Sequence, residues 1–152
     1  MIISPFNHEI LYYGTNRLYT SNKAANWSVI SPDLTDGLHP SGSLAFGTLT
    51  AIASSYNNLD VIYTGSDDGN VNVTFDGGTT WMDVSAGLPD QYITSIAMVP
   101  SDDMIAYVTV SGFKYLDYTP RVFKTTDGGQ NWTDISSNLP NIPVNDIIVY
   151  PA

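Results

Sequence analysis

The chain has 152 residues, the length of one ordinary domain, and its 43% of hydrophobic residues is enough for a packed core. Fifteen acidic residues against five basic ones give a formal net charge of −10, so no basic patch can neutralise phosphates and no nucleic-acid partner is expected. The absence of cysteine excludes disulfides, thiolate metal sites and a cysteine nucleophile, and no apolar run is long enough to insert into a membrane.

The acidity comes almost entirely from aspartate, since Glu9 is the only glutamate. Aspartate is common in turns because its short carboxylate accepts hydrogen bonds from nearby backbone N–H groups. Glutamate and lysine, the usual residues of exposed helices, are scarce. This balance predicts an all-β chain with many turns.

In chain order, the same series of segments occurs three times. Each copy begins with an apolar run rich in β-formers: ILYYG (10–14), VIYTG (61–65) and IAYVT (105–109). An eight-residue segment ending in tryptophan follows: TSNKAANW (20–27), TFDGGTTW (74–81) and TTDGGQNW (125–132). Each copy leads into a further apolar strand: LTAIAS (49–54), ITSIAM (93–98) and VNDIIV (144–149). Four short strands in a repeat of about fifty residues predict the blades of a β-propeller.

The second and third tryptophan segments carry the pattern S/T-x-D-x-G-x-x-W, which resembles the Asp-box, or bacterial neuraminidase repeat. Such repeats occur in sialidases, sortilin-type receptors, xyloglucan-degrading glycoside hydrolases and photosystem II assembly factors. The resemblance covers essentially the whole chain and implies three four-stranded antiparallel blades. It also implies an extracellular or cell-surface bacterial location, although the first ten residues lack the features of a signal peptide.

We expect a single propeller segment over residues 1–152. Its repeats run approximately over residues 1–47, 48–92 and 93–143, with 144–152 as the first strand of a following blade.

The Asp-box residues are expected to have structural roles in the hairpin between the third and fourth strands of a blade. They are Thr74, Asp76, Gly78, Trp81, Thr125, Asp127, Gly129 and Trp132. The carboxylates are expected to form hydrogen bonds with backbone groups of the turn, and the glycines to supply the positive φ that the turn needs. The tryptophans are expected to fold back over the turn. Asn22 and Trp27 belong to a degenerate first copy, where Ala24 and Ala25 depart from the pattern and predict a looser hairpin.

The repeats differ in two insertions, and a binding site is expected there. Residues 36–47 contain about ten residues more than the corresponding parts of the later repeats, and residues 111–120 contain seven more than the second repeat. Because strands alternate in direction within a blade, both insertions should emerge on one face, and the Asp-box turns on the other. The ligand-binding candidates are His39, Phe46, Phe113, Lys114, Tyr115 and Tyr118, whose rings could stack on sugars or anchor a protein. The alternative is that these loops bury their aromatic residues against the blades.

The sequence offers little for catalysis. Two arginines in different repeats, Arg17 and Arg121, cannot form the three-arginine cluster of a sialidase. A glycoside hydrolase needs two opposed carboxylates, and only Asp36 and Asp117 lie in the insertions, which makes them weak catalytic candidates. No metal site and no cofactor are expected, because His8 and His39 have no partners at ligand spacing.

Three blades cannot close a ring of four to eight. Either the chain is a segment of a longer propeller, which is the simpler expectation, or two copies assemble into six blades, with residues 144–150 of each completing the other's first blade. We therefore expect a non-catalytic binding or scaffold module that recognises a glycan or a protein. The alternatives are part of a carbohydrate-active hydrolase, and an assembly-factor or receptor propeller.

Overall fold

The structure is a computed structural model that describes residues 1–37 and 43–150. This part of the chain forms three antiparallel sheets of four strands each. The first sheet contains β1 (Ile2–Ile3), β2 (Ile10–Gly14), β3 (Leu18–Asn22) and β4 (Ser28–Val29). The second contains β5 (Leu49–Ser54), β6 (Ile62–Ser66), β7 (Val71–Thr74) and β8 (Met82–Asp83). The third contains β9 (Tyr92–Val99), β10 (Asp102–Ser111), β11 (Val122–Thr125) and β12 (Thr133–Asp134).

Strands pair in chain order within each sheet, as in the blades of a propeller. The prediction of an all-β fold built from three four-stranded blades is confirmed. The single helical element among the described residues is a 3-10 turn at Phe113–Tyr115, inside the second insertion. No helix within residues 1–37 and 43–150 has the length and apolar character needed to cross a membrane.

One hydrogen bond recurs in all three blades and fixes their structural equivalence. The serine that follows the fourth strand accepts a hydrogen bond from the first backbone N–H of the third strand. The pairs are Leu18 with Ser31, Val71 with Ser85 and Val122 with Ser136, at 2.8, 2.9 and 2.9 Å. From this strand residue to the tryptophan there are nine positions in the first blade and ten in the others. The first turn is therefore one residue shorter than the sequence repeat suggests.

The hydrophobic core lies between the blades. One cluster, formed around Tyr12, Leu18, Leu34 and Ile62, joins the first and second blades. A larger cluster, which includes Tyr63, Val73, Val108 and Phe123, joins the second and third. The second sheet therefore packs against a neighbouring blade on both faces, whereas the first and third sheets each pack against one neighbour within the described residues.

The innermost strands line a common cavity of about 290 Å³, to which Ile2, Ile52, Ile96 and Ile147 contribute. Residues 144–150 lie beside β9: the Thr94 hydroxyl donates to the Val144 carbonyl at 2.8 Å, just as Thr50 donates to Ile93 at 2.5 Å. The structure assigns no strand over residues 144–150. Their role as the first strand of a following blade stays a prediction, as do the repeat boundaries.

Candidate functional site

The tryptophan-bearing turns are closed by their own side chains. The Thr74 hydroxyl donates to Asp76 Oδ1 at 2.8 Å and accepts from the Gly78 N–H at 2.9 Å. Asp76 in turn accepts from the Thr80 N–H and hydroxyl, at 2.8 and 2.6 Å. The hydrogen bond from the Thr80 side chain is the main contact that lowers the pKa of Asp76 below its usual value.

The third blade repeats this arrangement. Thr125 donates to Asp127 at 2.8 Å, and the side chain of Asn131 donates to the same carboxylate at 2.8 Å. The Asn131 contact is the main cause of the lowered pKa of Asp127. These hydrogen bonds of both carboxylates lie within their own turns, which is the arrangement of a turn-closing group.

The tryptophans do not simply fold over their turns, as the sequence suggested. The indole N–H of Trp81 donates to the Ile30 carbonyl of the first blade at 2.9 Å, and that of Trp132 donates to the Val84 carbonyl of the second at 2.7 Å. Each tryptophan therefore joins its blade to the preceding one. The pattern of a single repeat could not show this, because the acceptor lies about fifty residues earlier.

The first turn differs from the others. Lys23 and Ala24 have φ of +54° and +55°, a conformation that costs energy for residues with a Cβ. Trp27 is 44% exposed and packs on Tyr13 with ring centroids 6.0 Å apart.

The first insertion is anchored by the turn between β6 and β7. Asp67 accepts hydrogen bonds from the backbone N–H groups of Phe46 and Thr48, at 2.7 and 2.8 Å. The neighbouring Asp68 accepts from the Asp36 N–H at 2.9 Å. Both aspartates lie in the turn between β6 and β7, and the loop residues that they hold lie 19 to 32 positions earlier in the chain, a relation that no local sequence pattern shows.

The second insertion is held by an ion pair between Asp117 within it and Arg121, the residue that follows it. Arg121 donates to Asp117 Oδ2 at 2.6 Å, and the Thr119 N–H donates to Oδ1 at 3.0 Å. The Arg121 hydrogen bond is the first cause of a pKa of Asp117 far below its usual value. Leu116 adopts φ +59° at the end of the 3-10 turn and is 78% exposed.

Lys114 connects the two insertions. Its ammonium donates to the Leu44 carbonyl at 2.8 Å across seventy residues of sequence. It also lies 4.6 Å from the ring centroid of Tyr92 and 5.6 Å from that of Phe46, within the range of cation–π attraction. The two insertions therefore meet on one side of the second and third blades.

A groove of about 470 Å³ opens beside this contact. It is lined by Tyr92, Phe113, Lys114, Ile142, Pro143 and Asn145, together with Thr94 and Ser111. Phe113 is 62% exposed and meets Tyr118 edge to face at 6.0 Å. The groove thus combines an accessible aromatic ring with an ammonium, hydroxyls and an amide.

The structure brings several predicted site residues together and separates others. Phe113, Lys114 and Phe46 lie at or next to the groove, and Tyr118 supports Phe113; Tyr115 is exposed beside them. His39 lies outside the described residues. Sequence reasoning missed six groove residues: Tyr92, Thr94, Ser111, Ile142, Pro143 and Asn145. Thr94 and Asn145 lie in the repeated apolar strands, where the comparison of repeats gave no signal of difference.

The two carboxylates considered for catalysis have separate partners. Asp36 accepts a hydrogen bond from the Asn70 side chain at 3.0 Å, while Asp117 is paired with Arg121. Neither contact involves the other carboxylate, and the structure gives no contact between them within the described ranges.

No protein-family model matches the chain, and no curated protein matches it in sequence. Solved structures do match in fold. An ancestral GH74 enzyme superposes with a TM-score of 0.65 at 17% identity, over 88% of this chain and 17% of that one. The GH74 xyloglucanase from Xanthomonas campestris gives 0.62 at 19% identity, over 92% and 20%. YCF48 bound to D1 peptide gives 0.55 at 16% identity, over 85% and 38%.

At these identities the likeness shows the fold alone. The chain spans about a fifth of the GH74 enzymes and about two fifths of YCF48. The fold is therefore that of propeller blades.

Proposed function

We propose that the chain is a non-catalytic binding module of the Asp-box type, extracellular or at the cell surface, and that its loop-bearing face recognises a neutral glycan chain. The observation that carries this proposal is the groove of about 470 Å³ beside the contact between the two insertions. Both insertions lie beside this groove, where Lys114 of the second insertion donates a hydrogen bond to the Leu44 carbonyl of the first.

The chemistry of the groove suits a sugar ring. The exposed face of Phe113 can stack on the apolar C–H face of a pyranose. Lys114, Asn145 and the hydroxyls of Thr94 and Ser111 can bond ring hydroxyls from the side. A neutral glycan is favoured over an acidic one because the net charge of −10 repels polyanions.

The carboxylates argue for binding rather than hydrolysis. A glycosidase acid must be protonated before it acts, which requires a raised pKa. The pKa of Asp117 is shifted the other way by Arg121, and its carboxylate already shapes the loop. Asp36 is exposed and bonded to Asn70, so it has neither an apolar environment nor the other carboxylate as a partner.

Two other functions have some support. A peptide ligand is favoured by the exposed aliphatic residues Leu116 and Ile142, at 78% and 64%, and by the fold likeness to YCF48 bound to a peptide. A place within a carbohydrate-active hydrolase, with the catalytic groups outside these three blades, is favoured by the likeness to a GH74 xyloglucanase. We also propose that further blades close the ring, either from a second copy or from additional polypeptide.

The test is calorimetric titration of the chain with a xyloglucan oligosaccharide and a cello-oligosaccharide, with chromatography of the sugars afterwards. Phe113→Ala and Tyr115→Ala should weaken binding, by about tenfold or more for the ring that stacks. Phe6→Ala is the matched control, because Phe6 is 52% exposed in the β1–β2 loop on the opposite face.

Binding without turnover that follows Phe113 and not Phe6 supports the proposal. Hydrolysis that Asp36→Ala or Asp117→Ala abolishes would replace it with the hydrolase. Absence of binding to both sugars would also overturn it, and would move the peptide to first place.

A further inference from the structure

The groove beside the two joined insertions has an aliphatic wall as well as an exposed aromatic ring. Ile142 lines the groove together with Pro143, and its side chain is 64% exposed, as accessible as the ring of Phe113. An unsubstituted hexose carries a hydroxyl on nearly every ring carbon, and a hydroxyl that loses water against an aliphatic surface gains no hydrogen bond in return. Stacking on a pyranose therefore accounts for Phe113, but it does not account for Ile142 and Pro143.

Two polar groups of the groove are already engaged by the protein. The Thr94 hydroxyl donates to the Val144 carbonyl at 2.8 Å and lies 2.7 Å from the hydroxyl of Thr109. The ammonium of Lys114 donates to the Leu44 carbonyl at 2.8 Å. Each of these groups has only part of its hydrogen-bonding capacity left for a ligand. A ligand that presents hydroxyls on every edge is thus poorly matched to the groove.

Asn145 is the polar group that remains available to a ligand. It is exposed and lines the groove, and within residues 1–37 and 43–150 the structure gives its side chain no hydrogen-bond partner. A carboxamide offers two N–H donors and an acceptor oxygen, so the group that matches it best is another amide. Asn145 follows Ile142 and Pro143 closely in the chain, and the amide and the aliphatic wall border the same groove.

We propose that the groove selects sugars that carry an acetamido group at C2, and that its ligand is a neutral oligosaccharide of N-acetylhexosamine. The acetamido methyl packs on Ile142 and Pro143. The acetamido N–H and carbonyl form hydrogen bonds with the carboxamide of Asn145, while the ring stacks on Phe113. Such a sugar is uncharged, which suits a chain with a net charge of −10. The inference rests on the proposed glycan-binding function and names the class of sugar.

The experiment is calorimetric titration of the whole chain with two trisaccharides that differ only at C2. The β-1,4-linked trimer of N-acetylglucosamine is compared with cellotriose, which has the same backbone and a hydroxyl at C2. The N-acetylated trimer should bind about tenfold more tightly or better, the discrimination that an added apolar group gives in a fitted pocket. Cellotriose should still bind, because stacking on Phe113 does not involve the C2 substituent.

Variants of the groove test which residues read the acetamido group. Asn145→Ala and Ile142→Ser should each reduce the ratio of the two affinities by about threefold or more, since each removes one contact to that group. Phe113→Ala should weaken both trisaccharides by the same factor and leave the ratio unchanged. Phe6→Ala should change neither affinity. The substituted side chains are exposed, and circular dichroism verifies that each variant is folded.

The outcomes separate this inference from the binding function on which it rests. Equal affinity of the unsubstituted chain for the two trisaccharides would overturn the inference and leave glycan binding standing. A preference that persists in both Asn145→Ala and Ile142→Ser would do the same, because the acetamido group would then be recognised elsewhere. Absence of binding to either trisaccharide would overturn the binding function together with the inference.

Discussion

The hydrogen bond from Trp132 to the Val84 carbonyl allows a quantitative test of how the blades are held together. Trp132→Phe keeps an aromatic ring over the interface but removes the donor, whose distance to the carbonyl is 2.7 Å. Val84 is only 7% exposed, so its carbonyl would lose its partner in a largely dry environment. A net hydrogen bond contributes about 1 kcal/mol, and a buried acceptor left unpaired costs about 1–3 kcal/mol. We expect the free energy of unfolding to fall by about 2 kcal/mol and Tm by roughly 4–8 °C in a chain of this size.

The assay is chemical and thermal denaturation followed by tryptophan fluorescence and circular dichroism. Trp27→Phe is the matched control, because the described residues contain no preceding blade whose carbonyl could accept the Trp27 indole N–H. Its effect should stay within about 0.5 kcal/mol, as for a surface substitution. Equal losses for the two variants would contradict this expectation, because they would show that the hydrogen bond across the blades adds nothing beyond the ring itself.

Three further predictions concern the turns and the joined loops. Ala24→Gly should raise the free energy of unfolding by about 1 kcal/mol, because the φ of +55° at this position suits glycine. Gly129→Ala should lower the free energy of unfolding by about 2–4 kcal/mol, because φ is +92° and the new Cβ would lie 2.9 Å from the Cβ of Val84. Denaturant titration measures both changes. The pKa of Asp127 is lowered in the folded chain, so the stability contributed by its carboxylate is complete above the unfolded pKa of about 3.9 and is lost as pH falls through the folded pKa. Asp127→Asn should therefore flatten the acid side of the curve of unfolding free energy against pH. An unchanged curve would contradict this prediction. Lys114→Met should release the contact between the loops and speed proteolysis near Leu44 with little change in Tm, and equal cleavage rates would show that the contact does not order the loop.

The blade architecture could be predicted because its sequence patterns involve residues that are close in the chain, and because they occur three times. A turn closed by Thr74, Asp76 and Gly78 needs only residues that are neighbours in sequence. The apolar alternation of the strands likewise depends on a two-residue period that any single repeat shows. These features follow from short-range chemistry.

The features that the sequence did not predict all depend on contacts between distant segments. The ammonium of Lys114 meets the Leu44 carbonyl across seventy residues, and Trp81 finds its acceptor at Ile30. The first turn is one residue shorter than the other two, and this difference becomes clear only when the Leu18–Ser31 hydrogen bond fixes the alignment of the blades. The groove needs Asn145 and its neighbours to lie beside Phe113, a placement set by packing rather than by any motif.

The most direct test of the central claim, that the two insertions and the segment after the third blade form one ligand-binding face, is nuclear magnetic resonance mapping on the isotopically labelled chain. A xyloglucan oligosaccharide is titrated in and the amide shifts are followed. We expect saturable shifts confined to Phe46, Tyr92, Phe113, Lys114 and Asn145 and their neighbours. Shifts centred on the turns of Asp76 and Asp127, on the opposite face, or no shifts at all, would contradict it.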